Sequence, residues 1–274
     1  MIDPVTEYLS FAHLLPEEEK DDAWHLQMQL EDVKKYLHDF DASYELFAFA
    51  ENSINQLNLQ MDATSLTELR DKMMNNPSDR SPFENLMARR RELFNGIRLY
   101  AAWCNIAGRD ACLTLSNLMD NFSAIVFGLN RCPSLRKLVP VQKILTVKDK
   151  FAADFPNYRI SRDAAAHPAD MVFSREKFEK NSTSVPFEIP GFIKSEGKNT
   201  MISPQMIGRS FVTTKLNHET KTSEATSMEL FTPEARQKIV SAQSVIYAEF
   251  QAAEAHLMAK RRAERNIPPA SLQR

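Results

Sequence analysis

The stretch "SPFENLMARRRELFNGIRLYAAWCNIAGRDACLTLSNLMDNFSAIVFGL", residues 81–129, decides the fold. Ser81, Pro82 and Glu84 form a capping box with proline at the first helical position. Behind it the apolar rhythm hardly stops, through Leu93, Ile97, Tyr100, Trp103, Leu115, Leu118, Phe122 and Ile125. The segment reads as one long helix, or two joined end to end, with Gly96 and Gly108 as the points where it would kink. Either way it is the spine of the core.

The flanking sequence has the same character. Residues 21–60 read as helix, broken near "HDFDAS", with Val33, Leu37, Phe40 and Tyr44 on one face. Residues 64–75 read as a short helix capped by Thr64 or Ser65, and "NNPSDRSP" as a loop. After the spine, "NRCPSLRKLVP" gives a turn with a short helix, "VQKILTVKDKFAADF" a helix, and "FPN" the start of another. Beyond residue 180 the chain turns polar and proline-broken. There "RSFVTTKLN" and "TSMELF" read as a β-hairpin. Thr232, Pro233 and Glu234 then cap a last helix reaching about Arg262. The expected architecture is an all-α bundle with a small β-hairpin insertion, at about 209–231, before the C-terminal helix. Residues 1–80 form an N-terminal helical segment, 81–263 the core, and 264–274 a flexible basic tail.

Composition bounds the function. Hydrophobic residues at 43% and charged residues at 26% over 274 positions are ordinary for a globular protein. Only six glycines disfavour glycine-rich nucleotide sites, and P-loop, dinucleotide and hydrolase-elbow patterns are absent. A net charge of −2 speaks against coating nucleic acid over the whole surface, while leaving room for a local basic site. Three cysteines, without CxxC spacing, read as small apolar residues of a reduced, cytoplasmic protein. No secretory leader and no uninterrupted apolar run of about 18 residues is seen, so no membrane association is expected. The six histidines are scattered without HxxxH or HExxH pairing, so neither metal nor cofactor is expected.

Three clusters of charge remain. Arg89, Arg90 and Arg91 form a collar around a helix, to be read as a solvated face or an RNA-backbone contact. Arg109 and Asp110 interrupt an apolar run, as an interhelical ion pair, an exposed flank or a support for a neighbouring site. In "YRISRDAAAHPADMVF", residues 158–173, Asp163 and His167 share a helical face, so the carboxylate could orient the imidazole. Arg162 lies about 140° around from His167. Pro168 disfavours helical geometry at His167. In a two-fold dimer the three alanines would allow two such segments to approach, an arginine beside phosphate and a histidine exchanging protons.

The run Arg162-Asp163-Ala164-Ala165-Ala166-His167 resembles the R-x4-6-H signature of the HEPN superfamily, whose domains are helical bundles with the signature on a late core helix. The resemblance implies a homodimeric, metal-independent endoribonuclease of the bacterial phage-defence or toxin–antitoxin kind, with RNA as substrate and an antitoxin or regulatory protein as partner. Carried over, Arg162 would clamp phosphate, His167 would act as general acid–base, and Asp163 would be the orienting or hydrogen-bonding polar residue. Arg109 and Asp110, read from their own place in the apolar run, are the candidates to support that site from a neighbouring helix. Ala169 stands where some toxin members carry a tyrosine, so regulation through that tyrosine is not implied. Two readings of other classes stand beside it. One is a non-catalytic helical interaction protein. The other is a nucleotide- or small-ligand-binding bundle with its pocket near Arg109, Asp110 and Arg162.

Overall fold

The computed structural model describes residues 8–63, 81–167, 182–183, 186–189, 193–195, 200–217 and 222–266. The expected short helix at 64–75 and the loop after it lie outside the described residues, as does the basic tail beyond 266. Two helices dominate: α1 (Lys20–Ala63) and α2 (Ser81–Arg131). At 1.5 Å per residue, α2 is roughly 75 Å long. They run antiparallel, because Leu57 meets Gly96, Ser43 meets Asp110 and Leu26 meets Gly128.

The spine is therefore one helix, continuous through both glycines. Their role is proximity rather than bending. A Cβ on Gly108 would stand 2.3 Å from Met206 Sδ, so the missing side chain is what lets the sheet close on α2. The break expected near "HDFDAS" does not occur either. Phe40, Ser43 and Phe47 all lie on the buried face of α1. The polar residues of this stretch find partners: Asp41 accepts hydrogen bonds from Nε and Nη2 of Arg236 at 2.7 and 2.8 Å, and Ser43 Oγ donates to Asp110 at 2.6 Å. Polar residues satisfied across an interface need not end a helix.

Short helices α3 (Pro133–Arg136), α4 (Val141–Asp154) and α5 (Tyr158–Ala166) follow, and α6 (Pro233–Asn266) closes the bundle. Thr232 Oγ1 caps α6 by accepting the Ala235 N–H at 3.1 Å, as the threonine–proline start anticipates. Tyr247 Oη on α6 donates to the Leu30 carbonyl at 2.6 Å. One core joins these helices. Leu26, Leu30 and Phe40 of α1, Phe122 of α2, Phe151 of α4, Phe231, and Phe250 of α6 are all fully buried in it.

The fold is all-α with a small β insertion before the last helix. The hairpin is β6 (Ser210–Asn217) and β7 (Thr222–Glu229), in register from Ser210 opposite Glu229 to Asn217 opposite Thr222. It extends further than the sequence pattern suggests. Strand β5 (Gln205–Ile207) pairs antiparallel with β6 through a tight turn at Gly208, whose φ of 57° suits glycine. Strands β1 (Ser182–Thr183) and β4 (Thr200–Met201) continue beyond β7, giving the order β4-β1-β7-β6-β5. Strands β2 (Phe187–Ile189) and β3 (Ile193–Ser195) form a separate pair. These added strands are two or three residues long, too short to show an alternation.

By length and composition α2 also contains an 18-residue window apolar enough to cross a bilayer; 61% of that window is buried within the protein. A helix that faces α1, α4, α5 and the sheet at once is apolar on most sides for that reason.

Candidate functional site at the end of α5

Helix α5 is nine residues long and is held at both ends. At its start, Asn157 Nδ2 donates to Thr226 Oγ1 at 2.6 Å, fixing the helix to β7. At its end, His167 leaves helical geometry (φ −128°, ψ 52°) while its N–H still donates to the Asp163 carbonyl at 3.0 Å. That termination is what a residue before proline should do.

Tyr158, Ser161, Ala164 and Ala165 are buried, and α5 packs against α2 and β6. Two of the three alanines thus serve close packing inside the chain. The expectation that all three open a path for a second copy is corrected: Ala166 alone of the three is exposed. The reason is geometric. Ser161, Ala164 and Ala165 fall on one side at helical spacing, and small side chains let α5 approach two neighbours at once.

The outward side carries the chemistry. Arg159, Asp163, Ala166 and His167 are exposed, and Arg162 sits at the boundary with 43% of its side chain accessible. Arg162 Nη1 pairs with Asp163 Oδ1 at 3.2 Å. The Asp163 carboxylate therefore holds the guanidinium, while the link from Asp163 to His167 runs through the backbone. The sequence reading misses Arg159, although it precedes Asp163 by four residues and so shares its face. Its Nε donates to Tyr158 Oη at 2.8 Å, and its guanidinium lies over the Tyr158 ring at 5.6 Å.

Arg109 and Asp110 are placed differently. Asp110 is engaged by Ser43 on α1, and Arg109 Nε is buried without a hydrogen-bond partner among the described residues. No described bond joins either residue to Arg162 or His167. The arrangement offers a cationic, solvent-open end of a helix with one imidazole, suited to an anionic group approaching from outside. Among the described residues, no three His, Cys, Asp or Glu side chains cluster as metal ligands would. A cavity of about 380 Å³ lies elsewhere, between the N-terminal 3₁₀ turns and the end of α6, lined by His13, Lys20, Lys260 and Arg261. No protein-family model, curated protein or solved structure matches this chain.

Proposed function

We propose that the exposed end of α5 is the RNA-cleaving site of a cytoplasmic, metal-independent endoribonuclease, working as a dimer in phage defence or a toxin–antitoxin-like system. The observation that carries this reading is the joint accessibility of Arg162 and His167 on a helix whose other face is wholly committed to packing. A structural role for this pair would favour a packed imidazole instead.

In the proposed step the RNA 2′ oxygen bonds to the adjacent phosphorus and the P–O5′ bond breaks. An imidazole takes the 2′ proton, and the 5′ oxygen leaves as a hydroxyl after receiving one. Arg162 balances the charge that gathers on the phosphoryl oxygens, and Asp163 keeps its guanidinium oriented. With one such histidine per chain, a second copy supplies the second proton-transfer group.

The product ends test this chemistry. RNA fragments should carry 2′,3′-cyclic phosphates, and DNA of the same sequence should remain intact. Fragments bearing 5′-phosphates, or cleavage of DNA, would contradict it.

A second reading, a non-catalytic interaction protein, is favoured by one surface. Phe49 of α1 is 56% exposed and stacks near Trp103 of α2 at 6.1 Å, with Leu99 and Ile106 exposed on the same helix. An apolar surface of this kind is a common feature of protein contacts. On that reading, a purified dimer would leave RNA untouched.

A further inference from the structure

The first half of α2 has a charge pattern that α5 does not account for. Residues 85–109 hold five arginines against the single acid Glu92, in a chain whose net charge is −2. Two of the five are tied down near α1. Arg89 pairs with Glu92 at 3.4 Å and donates to Gln60 at 3.3 Å, and Arg90 donates to the Met61 carbonyl at 3.4 Å.

Arg91 and Arg98 differ. Both are exposed, and among the described residues neither has an ion pair or a side-chain hydrogen bond. The positions three and four residues from each are Met87, Ala88, Phe94, Asn95, Ala101 and Ala102, so the helix offers neither one a carboxylate. They are seven residues apart, which places them on one face about 10 Å from each other. Phe94 lies between them and is 54% exposed. Two unpaired guanidinium groups flanking an exposed ring match the needs of a single nucleic-acid strand, with phosphates for the cations and a base for the ring. Asn95 and Ala102 beside them are also exposed and short, leaving an open track rather than a socket for a protein side chain.

We propose that Arg91, Phe94 and Arg98 form a binding track for single-stranded RNA. The choice of RNA rests on the cleavage reading for α5; the track itself rests on α2. It supplies affinity without sequence preference, because phosphate contacts and stacking are common to every base.

The test uses the full chain and a 2′-O-methylated oligonucleotide, which cannot undergo the proposed cleavage, with binding followed by fluorescence anisotropy. Phe94→Ala should weaken binding about tenfold. Replacing both arginines by alanine should lower the slope of log K against log salt by about 1.4, whereas the double lysine variant should keep that slope. All three side chains are exposed, so circular dichroism should show the fold unchanged. An Arg162→Ala/His167→Ala protein that binds through the track without cleaving, beside a wild type that also leaves unmodified RNA intact, would sink the α5 reading and leave the track standing. The track is overturned if the wild type does not bind, or if all α2 variants bind with its affinity and salt slope. It is also overturned if Phe94→Ala changes only the oligomeric state in sedimentation, which would assign the face to a protein contact.

Discussion

Gly108→Ala sets helix propensity against packing at the place where the sheet meets α2. The added methyl would stand 2.3 Å from Sδ and 2.6 Å from Cγ of Met206, and 3.3 Å from Cδ2 of Phe211. In the middle of a helix, alanine is favoured over glycine by about 1 kcal/mol. Against this, Met206 must vacate the space it fills, and overpacking of this kind costs about 1–3 kcal/mol. Phe211 is fully buried, but its contact asks for only a few tenths of an ångström. The packing cost outweighs the propensity gain, so the variant should be less stable than wild type by about 1 kcal/mol. Met206→Ala removes the obstructing atoms. In that background the same substitution should stabilise by about 0.5 kcal/mol, the propensity gain less the remaining Phe211 contact. The interaction energy of the cycle is then about 1.5 kcal/mol, measurable by urea unfolding followed by circular dichroism. A stabilised Gly108→Ala in the wild-type background, or additive effects of the two substitutions, would refute the packing of β5 and β6 on α2.

Two further outcomes follow from buried groups. The Ser161 hydroxyl is buried against α2 and β6 with no hydrogen-bond partner among the described residues, so Ser161→Ala should raise stability by about 1 kcal/mol in denaturant titration. A loss of that size would show the hydroxyl to be satisfied. Burial pushes the Cys104 and Cys132 thiols up to about 11, helped by Glu51 and by Glu19 with Asp22 respectively, and burial raises Cys112 further. Below about 11 these cysteines hold little thiolate, so a thiol-specific reagent at mildly alkaline pH should label none in the native protein and all three in denaturant. Fast labelling of the native protein would place a cysteine outside the core.

Much of the fold is written locally, and the exceptions share a cause. The cap of α6, the alternation of the hairpin and the proline that follows His167 at the end of α5 are all visible within a few residues, and α2 starts at the Ser81 that the sequence pattern marks. The continuity of α1 depends on Arg236 and Asp110, which are far away in sequence. The outer strands depend on pairing with β6 and β7 rather than on their own two or three residues. In the candidate site, the Asp163–His167 spacing is legible, but the packed face of α5 is not. Ser161 is polar and Ala164 and Ala165 are small and only weakly apolar, so hydropathy alone does not say that they are buried or that Arg159 joins the exposed face. The guanidinium–carboxylate pairing of Arg162 with its neighbour Asp163 is likewise a matter of side-chain conformation, which spacing does not determine.

The proposed RNA cleavage at the end of α5 is tested most directly by incubating total RNA with the purified protein in EDTA, alongside Arg162→Ala and His167→Ala. Cleavage by the wild type should persist in EDTA and fall about a hundredfold or more in each variant, with fold and oligomeric state unchanged. Equal cleavage by all three proteins, or cleavage that EDTA abolishes, would contradict it.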